Sequence, residues 1–303
     1  MTTAISVDGL TRWFGARRGV IDVAFEVNVG EVFGFLGPNG AGKSTTIRLL
    51  LGLYRPTSGR MRVFGLNPAS DSVEIHRRIG YLPGELALYP RLTGQQHLDY
   101  AARVRGLSDH AYRDELVERF QAELDRPVRA LSKGNRQKIG LVLAFMHRPD
   151  LLILDEPTSG LDPLLQDQFA HLVRETVDEG RTVFLSSHEL DEVQRVVDRL
   201  SIIKEGRIVV TDTVEGLRQA APRTIEFRFA RPVDVTRFAG LAGVEVLSHN
   251  ATRLVLSATG PVSPLLQVAG ELDAVDVTAR RADLDELFLT YYRSKPEEAA
   301  RAS

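Results

Sequence analysis

The sequence predicts an α/β domain followed by a small α+β domain, and three features of its 303 residues lead to this prediction. Short, continuously apolar segments of strand length recur through the first 210 residues and alternate with helical patterns. A stretch in the middle of that region has helical spacing and no strand pattern. Beyond residue 222, apolar and charged residues alternate, which is typical of a sheet with one solvent-exposed face.

In the first domain, the expected strands are apolar at nearly every position, as in a parallel sheet that helices cover on both faces. They are Glu31–Leu36, Leu151–Leu154, Thr182–Ser186 and Leu200–Lys204. Helical periodicity covers Lys43–Leu53 and Leu164–Glu179. The segment Leu92–Phe120 has helical spacing alone and is predicted to be an insertion. The domain is therefore expected over residues 1–220, with a helical subdomain at about 81–145.

The second domain is predicted over residues 223–292. Its expected elements are the strand Thr224–Ala230, a short helix at Val233–Leu241, the strands Val244–Leu247 and Arg253–Ser257, the helix Pro264–Leu272 and the strand Ala274–Thr278. This β-α-β-β-α-β order is the split βαβ arrangement of ferredoxin-like folds. A last helix, Asp283–Tyr292, and a flexible tail over residues 293–303 are expected to follow. Regulation and dimer contacts are both open as roles for this accessory domain.

Composition argues against several classes of protein. There are 38 lysines and arginines against 40 aspartates and glutamates, and this balance argues against a generally basic nucleic-acid binder. The chain has no cysteine, which excludes disulfides, thiolate metal sites and cysteine nucleophiles. No apolar segment approaches the roughly 20 residues that cross a bilayer. The first residues also lack a secretory signal pattern, so we expect a soluble, cytoplasmic protein.

A glycine-rich sequence between the first expected strand and the following helix predicts phosphate binding. It fits G-x-x-x-x-G-K-[ST], is followed by Thr45, and consists of Gly37, Pro38, Asn39, Gly40, Ala41, Gly42, Lys43 and Ser44. Glycines let backbone N–H groups fold around phosphate oxygens, and the helix N-terminus adds partial positive charge. In this motif Lys43 reaches the β- and γ-phosphates and the Ser44 hydroxyl binds Mg²⁺. The alternative, a glycine turn with a chance lysine, is weakened by the strand-then-helix context.

Two carboxylates, Asp155 and Glu156, directly follow the apolar strand Leu151–Leu154. Buried strands rarely end in this way without a cation nearby. We expect Asp155 to hold Mg²⁺ through water, and Glu156 to polarise the attacking water as a general base. Solvated acids at a strand end would be the alternative if the phosphate loop were absent.

Further motifs resemble those of ABC-type ATPases. Leu131–Asn135 resembles the LSGGQ signature of that family, and Ser159–Asp162 resembles its D-loop. His188 is similar to the switch histidine, and Phe14 stands where the family has the aromatic residue that stacks on adenine. Trp13 is adjacent, and either aromatic residue could belong to the core instead. Together with the phosphate loop and the paired carboxylates, these motifs follow the family's order over residues 4–215.

The resemblance implies a P-loop ATPase that binds ATP and Mg²⁺ and hydrolyses ATP. It also implies two ATPase domains packed head to tail, with each ATP between the phosphate loop of one subunit and the signature of the other. Ser132 and Gly134 are then expected to meet the γ-phosphate across the interface, and Asp162 is expected among the nucleotide-binding residues. His188 is expected to hydrogen-bond the γ-phosphate and to help hold Glu156 and the attacking water.

Two departures from the family pattern stand out. The family usually has glutamine after Tyr-Leu-Pro, where this chain has Gly84. Because a flexible glycine precedes Glu85 and a carboxylate can bind metal, we expect Glu85 to substitute for that glutamine as a metal-binding group. The second departure is Lys133 and Asn135 in place of the second glycine and the glutamine of the signature. Ser132 and Gly134 are retained, so we expect function to be kept.

The segments Gly80–Gly94 and Asp283–Tyr292 resemble the drug- and polyketide-export branch, the daunorubicin-resistance type. In that branch the ATPase subunit is separate from the membrane permease. The resemblance therefore implies a permease partner and a dimer, either with a second copy or with a paralogue. It also implies a peripheral location at the inner face of the cell membrane. The surface between Tyr81 and Arg105 is expected to receive helices of the permease, although a solvated helical lid would have the same pattern.

Two other classes of protein compete with the transporter interpretation. A soluble ABC-type ATPase acting on ribosomes or nucleic acid would share most motifs, but translation-type members carry two ATPase units and DNA-repair types carry a long coiled coil or a metal hook. A P-loop kinase or GTPase would leave Leu131–Asn135 and His188 unexplained. Export rather than import is implied by the branch alone, and the cargo has no signature in the sequence. We expect no nucleic-acid partner.

Overall fold

The computed structural model of this chain describes residues 2–189, 193–220 and 222–281. They form two compact units, which divide between Asp212 and Thr213. The first unit holds a three-stranded and a six-stranded sheet, and the second holds a four-stranded sheet. The domain limits predicted from the sequence, residues 1–220 and 223–292, stay a prediction.

The strands of the first unit are β1 (Thr3–Phe14), β2 (Arg17–Asn28), β3 (Val32–Leu36), β4 (Ser58–Val63), β5 (Ile79–Leu82), β6 (Leu151–Asp155), β7 (Thr182–Ser187), β8 (Arg199–Lys204) and β9 (Arg207–Thr213). Its helices include α1 (Lys43–Leu50), α2 (Ser72–Arg78), α3 (Gly94–Arg105), α4 (Ala111–Phe120), α5 (Lys133–Phe145) and α6 (Pro163–Asp178). The second unit contains α7 (Val214–Ala220), β10 (Arg223–Phe229), α8 (Thr236–Ala239), β11 (Val244–His249), β12 (Arg253–Ala258), α9 (Ser263–Glu271) and β13 (Ala274–Arg281).

The six-stranded sheet has the order β5-β6-β7-β3-β8-β9, and the neighbours from β5 to β8 run parallel. Every residue of β3, β6 and β7 is buried, which explains their continuous apolar sequence. Phe25 of β2 packs against Phe33, Phe35 and Phe184 of this sheet, with ring centroids 5.3 to 5.9 Å apart. The core of the first unit therefore lies between its two sheets. The α/β prediction is confirmed.

Parallel strand order brings the predicted chemistry to one edge of this sheet. Strands β3 and β6 both pair in parallel with β7, so their carboxyl ends lie at the same edge of the sheet, on either side of β7. The phosphate loop follows β3, Asp155 is the last residue of β6, and Glu156 follows it directly. Ligands of open α/β sheets bind at such carboxyl ends.

Helices α3, α4 and α5 form the inserted helical region between β5 and β6. Helix α3 begins with a capping box, in which two residues cap each other's backbone. The backbone N–H of Gln96 donates to Thr93 Oγ1 over 3.2 Å, and the backbone N–H of Thr93 donates to Gln96 Oε1 over 2.9 Å. The helix ends at Gly106 in a left-handed conformation, with φ at 67°. The predicted helical insertion at Leu92–Phe120 thus corresponds to α3 and α4.

The second unit has the antiparallel order β11-β12-β10-β13, as expected for a split βαβ fold. Its core contains three aromatic residues, Phe227, Phe229 and Phe238. The predicted helix Asp283–Tyr292 and the predicted tail lie outside the described residues. Within the ranges that the structure describes, no helix has the length and apolar character needed to cross a bilayer.

Candidate active site

A cavity of about 620 Å³ opens at the carboxyl edge of the six-stranded sheet. Of the residues singled out from the sequence, its lining includes Phe14, Pro38, Asn39, Gly40, Gly42, Lys43, Ser44, Thr45, Gly84, Glu85, Asp155 and Glu156. Motifs separated by more than a hundred residues therefore meet around one space. The arrangement fits a nucleotide with its phosphates at one end and an aromatic wall at the other.

The phosphate loop passes directly into α1, which begins at Lys43. Gly42 caps this helix with φ at 121°, a backbone conformation that favours glycine. The amide groups of the first helical turn have no intrahelical partner and provide donors for phosphate oxygens. Beneath them, the nearly buried Lys43 ammonium donates to the Gly37 carbonyl over 2.6 Å. The loop thus combines backbone donors with one positive charge.

Asp155 is 4% exposed and is bound by two hydroxyl groups. Ser44 Oγ donates to Asp155 Oδ2 over 2.8 Å, and Ser186 Oγ donates to Asp155 Oδ1. The negative charge of Asp155 and burial together raise the pKa of Tyr81, burial being the larger cause. A Cβ atom at Gly84 would lie only 3.2 Å from Asp155 Oδ2, so a side chain there would press on the carboxylate.

Glu156 lies between two basic side chains at the end of β6. Its Oε1 is 3.3 Å from the Lys43 ammonium, and its Oε2 accepts a hydrogen bond from His188 Nδ1 over 2.7 Å. Its φ is 53°, which is unusual for a residue with a side chain. The predicted base and the predicted switch histidine are therefore in direct contact.

The other end of the cavity is aromatic. Phe14 and Tyr54 both line it, and their rings meet edge to face at a centroid distance of 5.3 Å. The Arg12 guanidinium lies over the Phe14 ring, 4.7 Å from its centroid. Trp13 is 39% exposed and does not belong to the described lining. Phe14 is thus the aromatic residue of this pair that faces the cavity.

The signature and D-loop residues lie elsewhere on the same chain. Ser132, Gly134 and Asp162 are not among the described residues that line the cavity. Ser132 Oγ caps α5 by accepting a hydrogen bond from the backbone N–H of Asn135 over 3.1 Å. Asp162 Oδ1 caps α6 by accepting a hydrogen bond from the backbone N–H of Leu165 over 3.0 Å. Each side chain starts a helix and neither is brought to the phosphate loop of its own chain.

The two signature departures have partners within the chain. Asn135 is 8% exposed, and its side-chain amide makes two hydrogen bonds to the backbone of Glu123. Its Oδ1 accepts from the Glu123 N–H over 2.8 Å, and its Nδ2 donates to the Glu123 carbonyl over 2.7 Å. The Lys133 ammonium donates to Ser159 Oγ over 2.9 Å. Both substitutions thus fasten the start of α5 to neighbouring loops, and neither blocks the exposed Ser132.

Sequence reasoning missed several residues of the site. Tyr54, Tyr81 and Arg48 line the cavity, and Ser186 holds Asp155. None lies in a motif that predicts phosphate or metal binding by itself. A weak signal existed for Ser186, because it is a polar residue in the last two positions of a buried apolar strand.

Comparison with known proteins identifies the family. Residues 20–159 match the family model described as ABC transporter. The bacitracin transport ATP-binding protein of Bacillus licheniformis is 38% identical, over 76% of this chain and 76% of that protein. A daunorubicin resistance ATP-binding protein of Streptomyces coeruleorubidus is 36% identical, over 95% of each chain. A solved ATP-binding subunit of an ABC transporter has a TM-score of 0.65 at 34% identity, covering 72% of this chain and 92% of that chain.

These likenesses agree with the geometry of the cavity. A phosphate loop and an acidic strand end line one nucleotide-sized space, a histidine contacts the second of these acids, and relatives over most of the chain are ATP-binding proteins. The chain therefore belongs to the ABC transporter family, as an ATP-binding and ATP-hydrolysing subunit.

Proposed function

We propose that this subunit powers the export of a small drug-like molecule through a permease on a separate chain. The observation that carries the ATP-dependent part is the meeting of Lys43, Ser44, Asp155 and Glu156 around one cavity. The export part is supported by the relatives named for bacitracin transport and daunorubicin resistance.

In this proposal, each side chain of the site has a distinct task in ATP hydrolysis. The phosphate loop and Lys43 bind the β- and γ-phosphates and neutralise their charge. Glu156 accepts the proton of the attacking water as general base. His188 Nδ1 donates to the Glu156 oxygen that does not face Lys43, and with both ring nitrogens protonated its Nε2 would donate to the γ-phosphate. Phe14 forms the wall on which adenine stacks.

The oxygen atoms at the centre of the site fit Mg²⁺. Mg²⁺ prefers carboxylate, hydroxyl and water oxygens, and Ser44 Oγ lies 2.8 Å from the Asp155 carboxylate. Asp155 is nearly fully buried, and a buried carboxylate is favourable only beside a cation or hydrogen-bond donors. Mg²⁺, when bound, neutralises phosphate charge that develops during transfer. Glu85, which also lines the cavity, would contribute a further oxygen.

A second ATPase subunit would complete the site. Ser132 is exposed at the start of α5, where helix amides without intrahelical partners favour an anion. Because Ser132, Gly134 and Asp162 lie outside the described lining of their own chain's cavity, we assign them to the ATP of the partner subunit. The partner would be a second copy or a paralogue.

An exposed apolar cluster on the helical insertion is the proposed permease contact. Tyr89 is 67% exposed and Tyr100 is 58% exposed, and with Pro90, Arg91 and Leu92 they border a cavity of about 490 Å³. Exposed apolar clusters of this kind mark interaction sites. The cluster lies in the surface from Tyr81 to Arg105 that the sequence assigned to the permease. Docking there would hold the subunit at the inner face of the cell membrane.

The proposal is tested by purifying the full-length tagged chain from membranes in mild detergent and identifying what stays bound. We expect a stoichiometric protein with several membrane spans. The double variant Tyr89→Ser/Tyr100→Ser should lose that protein while keeping ATP binding. Val73→Ser, which changes another exposed apolar residue on α2, should retain it. Recovery of ribosomes or nucleic acid instead would favour the alternative, an ABC-type ATPase that works without a permease.

A further inference from the structure

Helix α5 contacts the backbone of the loop that carries Glu156. Gln137, which is 5% exposed, lies on this helix, and its Nε2 donates to the Glu156 carbonyl over 3.2 Å and to the Pro157 carbonyl over 2.9 Å. One buried amide therefore binds two consecutive peptide groups directly after β6. The loop is held from the helical insertion as well as from the sheet.

The backbone of Glu156 needs such support. Its φ of 53° lies in the left-handed region, which is costly for a residue with a side chain. Glu156 also precedes Pro157, and a residue before proline favours extended backbone. A backbone in so sparsely populated a region persists only where the surrounding structure holds it. Two backbone hydrogen bonds also hold this residue. The Glu156 N–H donates to the Ser186 carbonyl, and the Ser159 N–H donates to the Glu156 carbonyl.

The left-handed turn decides where the Glu156 side chain points. With this φ, the carboxylate meets the Lys43 ammonium and the His188 imidazole. Relaxation to an extended backbone would turn the Cα–Cβ bond and carry the carboxylate away from both. We infer that Gln137 is a positioning residue for ATP hydrolysis, because its amide holds the turn that aims the Glu156 carboxylate. This inference rests on the proposed role of Glu156 as general base.

A second contact joins α5 to the same loop and contributes less. The Lys133 ammonium donates to Ser159 Oγ, and a Cβ atom at Gly134 would lie 2.6 Å from the Gly160 carbonyl oxygen. Lys133 is exposed, so water competes for its hydrogen bond. Gln137 is buried, so water does not compete for its hydrogen bonds. Removing its amide would leave the Glu156 and Pro157 carbonyls without this donor, which costs more than losing the exposed bond of Lys133. The main effect is therefore assigned to Gln137.

The first test is Gln137→Met in the full-length chain, with kcat, KM, the Kd for ATP and the melting temperature all measured. Methionine has a similar length and lacks the amide donors. We expect kcat to fall about 10- to 100-fold, as for a small misplacement of a catalytic group. The Kd for ATP should stay within a factor of about 2, because the phosphate loop is untouched. Gln219→Met, on an exposed position of α7, is the matched control and should behave as the original chain in every measurement.

The second test separates positioning from general stability. In the Glu156→Gln background no carboxylate remains to be aimed, so adding Gln137→Met should not lower the residual single-turnover rate further. A purely structural role would lower the rate by the same factor in both backgrounds and would overturn the inference. Gln137→Asn keeps an amide that is one methylene too short, and it should reproduce the kcat loss if Gln137→Met folds poorly.

The outcomes distinguish this inference from the proposed function. If Glu156→Gln hydrolyses ATP at the original rate, the role of Glu156 is wrong and the inference fails with it. If Glu156→Gln is inactive while Gln137→Met and Gln137→Asn keep the original kcat, only the positioning role is overturned.

Discussion

Asp155 and Glu156 are adjacent in the sequence but have different surroundings. Asp155 is almost inaccessible and accepts hydrogen bonds from the hydroxyls of Ser44 and Ser186. Glu156 turns the other way through its left-handed backbone and reaches Lys43 and His188. Two carboxylates held in different environments can divide the work of metal binding and proton transfer.

At the residue scale, Glu85→Ala tests whether a carboxylate replaces the glutamine that the family has after Tyr-Leu-Pro. If Glu85 contributes an oxygen to Mg²⁺, the Mg²⁺ concentration for half-maximal ATPase activity should rise about tenfold. Glu118→Ala, an exposed position on α4, is the control and should leave the Mg²⁺ dependence unchanged. An identical Mg²⁺ dependence and turnover in Glu85→Ala would show that Glu85 has no such role.

A second residue-scale prediction concerns His147 and pH. Burial and the nearby positive charge of Arg105 lower the pKa of His147 to about 4. Between pH 6.5 and 4 the unfolded chain therefore binds a proton that the folded chain does not, so the free energy of unfolding falls as pH falls. His147→Gln keeps a donor for the Ile79 carbonyl and does not titrate.

Denaturant unfolding at pH 7 and pH 5 measures the effect. The original chain should lose up to about 2 kcal/mol more than His147→Gln over this interval. Equal losses in both proteins would mean that His147 is not held neutral in the folded state.

That the phosphate loop and the paired carboxylates meet at one cavity could be predicted, because each motif carries its chemistry locally. The phosphate loop needs glycines and a lysine in sequence, and a strand that ends in two acids indicates a cation. Tyr54 and Gln137 could not be predicted in this way, since their roles come from contacts with residues far away in the sequence, Phe14 and Glu156. A tyrosine in a loop or a glutamine on a helix has many other uses.

At the scale of elements, the strands predicted in the first unit, β3, β6, β7 and β8, are those whose residues are buried almost without interruption. The antiparallel sheet of β1, β2 and β4 was missed. The pairing of β1 with β2 shifts register at four places, including the steps from Val7 to Leu10 and from Leu10 to Arg12. Each irregularity interrupts the two-residue alternation from which a half-buried strand is recognised. In β1 the alternation of buried and exposed residues ends after Asp8, whereas β2 alternates regularly from Val23 to Val27, so the signal for β2 is present in the sequence.

Asn135 connects α5 to the loop that follows α4, and its removal is the prediction at this scale. Asn135→Ala would leave the Glu123 N–H and carbonyl without their side-chain partner. We expect the free energy of unfolding to fall by about 1 to 2 kcal/mol, with the Kd for ATP unchanged because the cavity lies elsewhere. Denaturant unfolding and nucleotide binding measure the two effects. A variant as stable as the original chain would mean that water replaces the amide at no cost.

For the whole molecule, the second unit has a hydrophobic core of its own. Phe227, Phe229 and Phe238 pack together under the antiparallel sheet, and the alternating sequence of β10 predicted this one-sided burial. The element order was predictable because each element has its own periodicity. The role of this unit was not predictable, since several of its described charged residues form ion pairs with one another on the surface, as Arg253 does with Glu226.

The central claim is that Glu156 is the general base for ATP hydrolysis at the cavity of the first unit. Single-turnover hydrolysis by the Glu156→Gln variant tests this claim most directly. The variant should bind Mg²⁺-ATP with a Kd within about threefold of the original chain and hydrolyse it at least about 100-fold more slowly, as expected for loss of a general base. Glu74→Gln, an exposed position on α2, should hydrolyse ATP at the original rate. Hydrolysis by Glu156→Gln at the rate of this control would contradict the account.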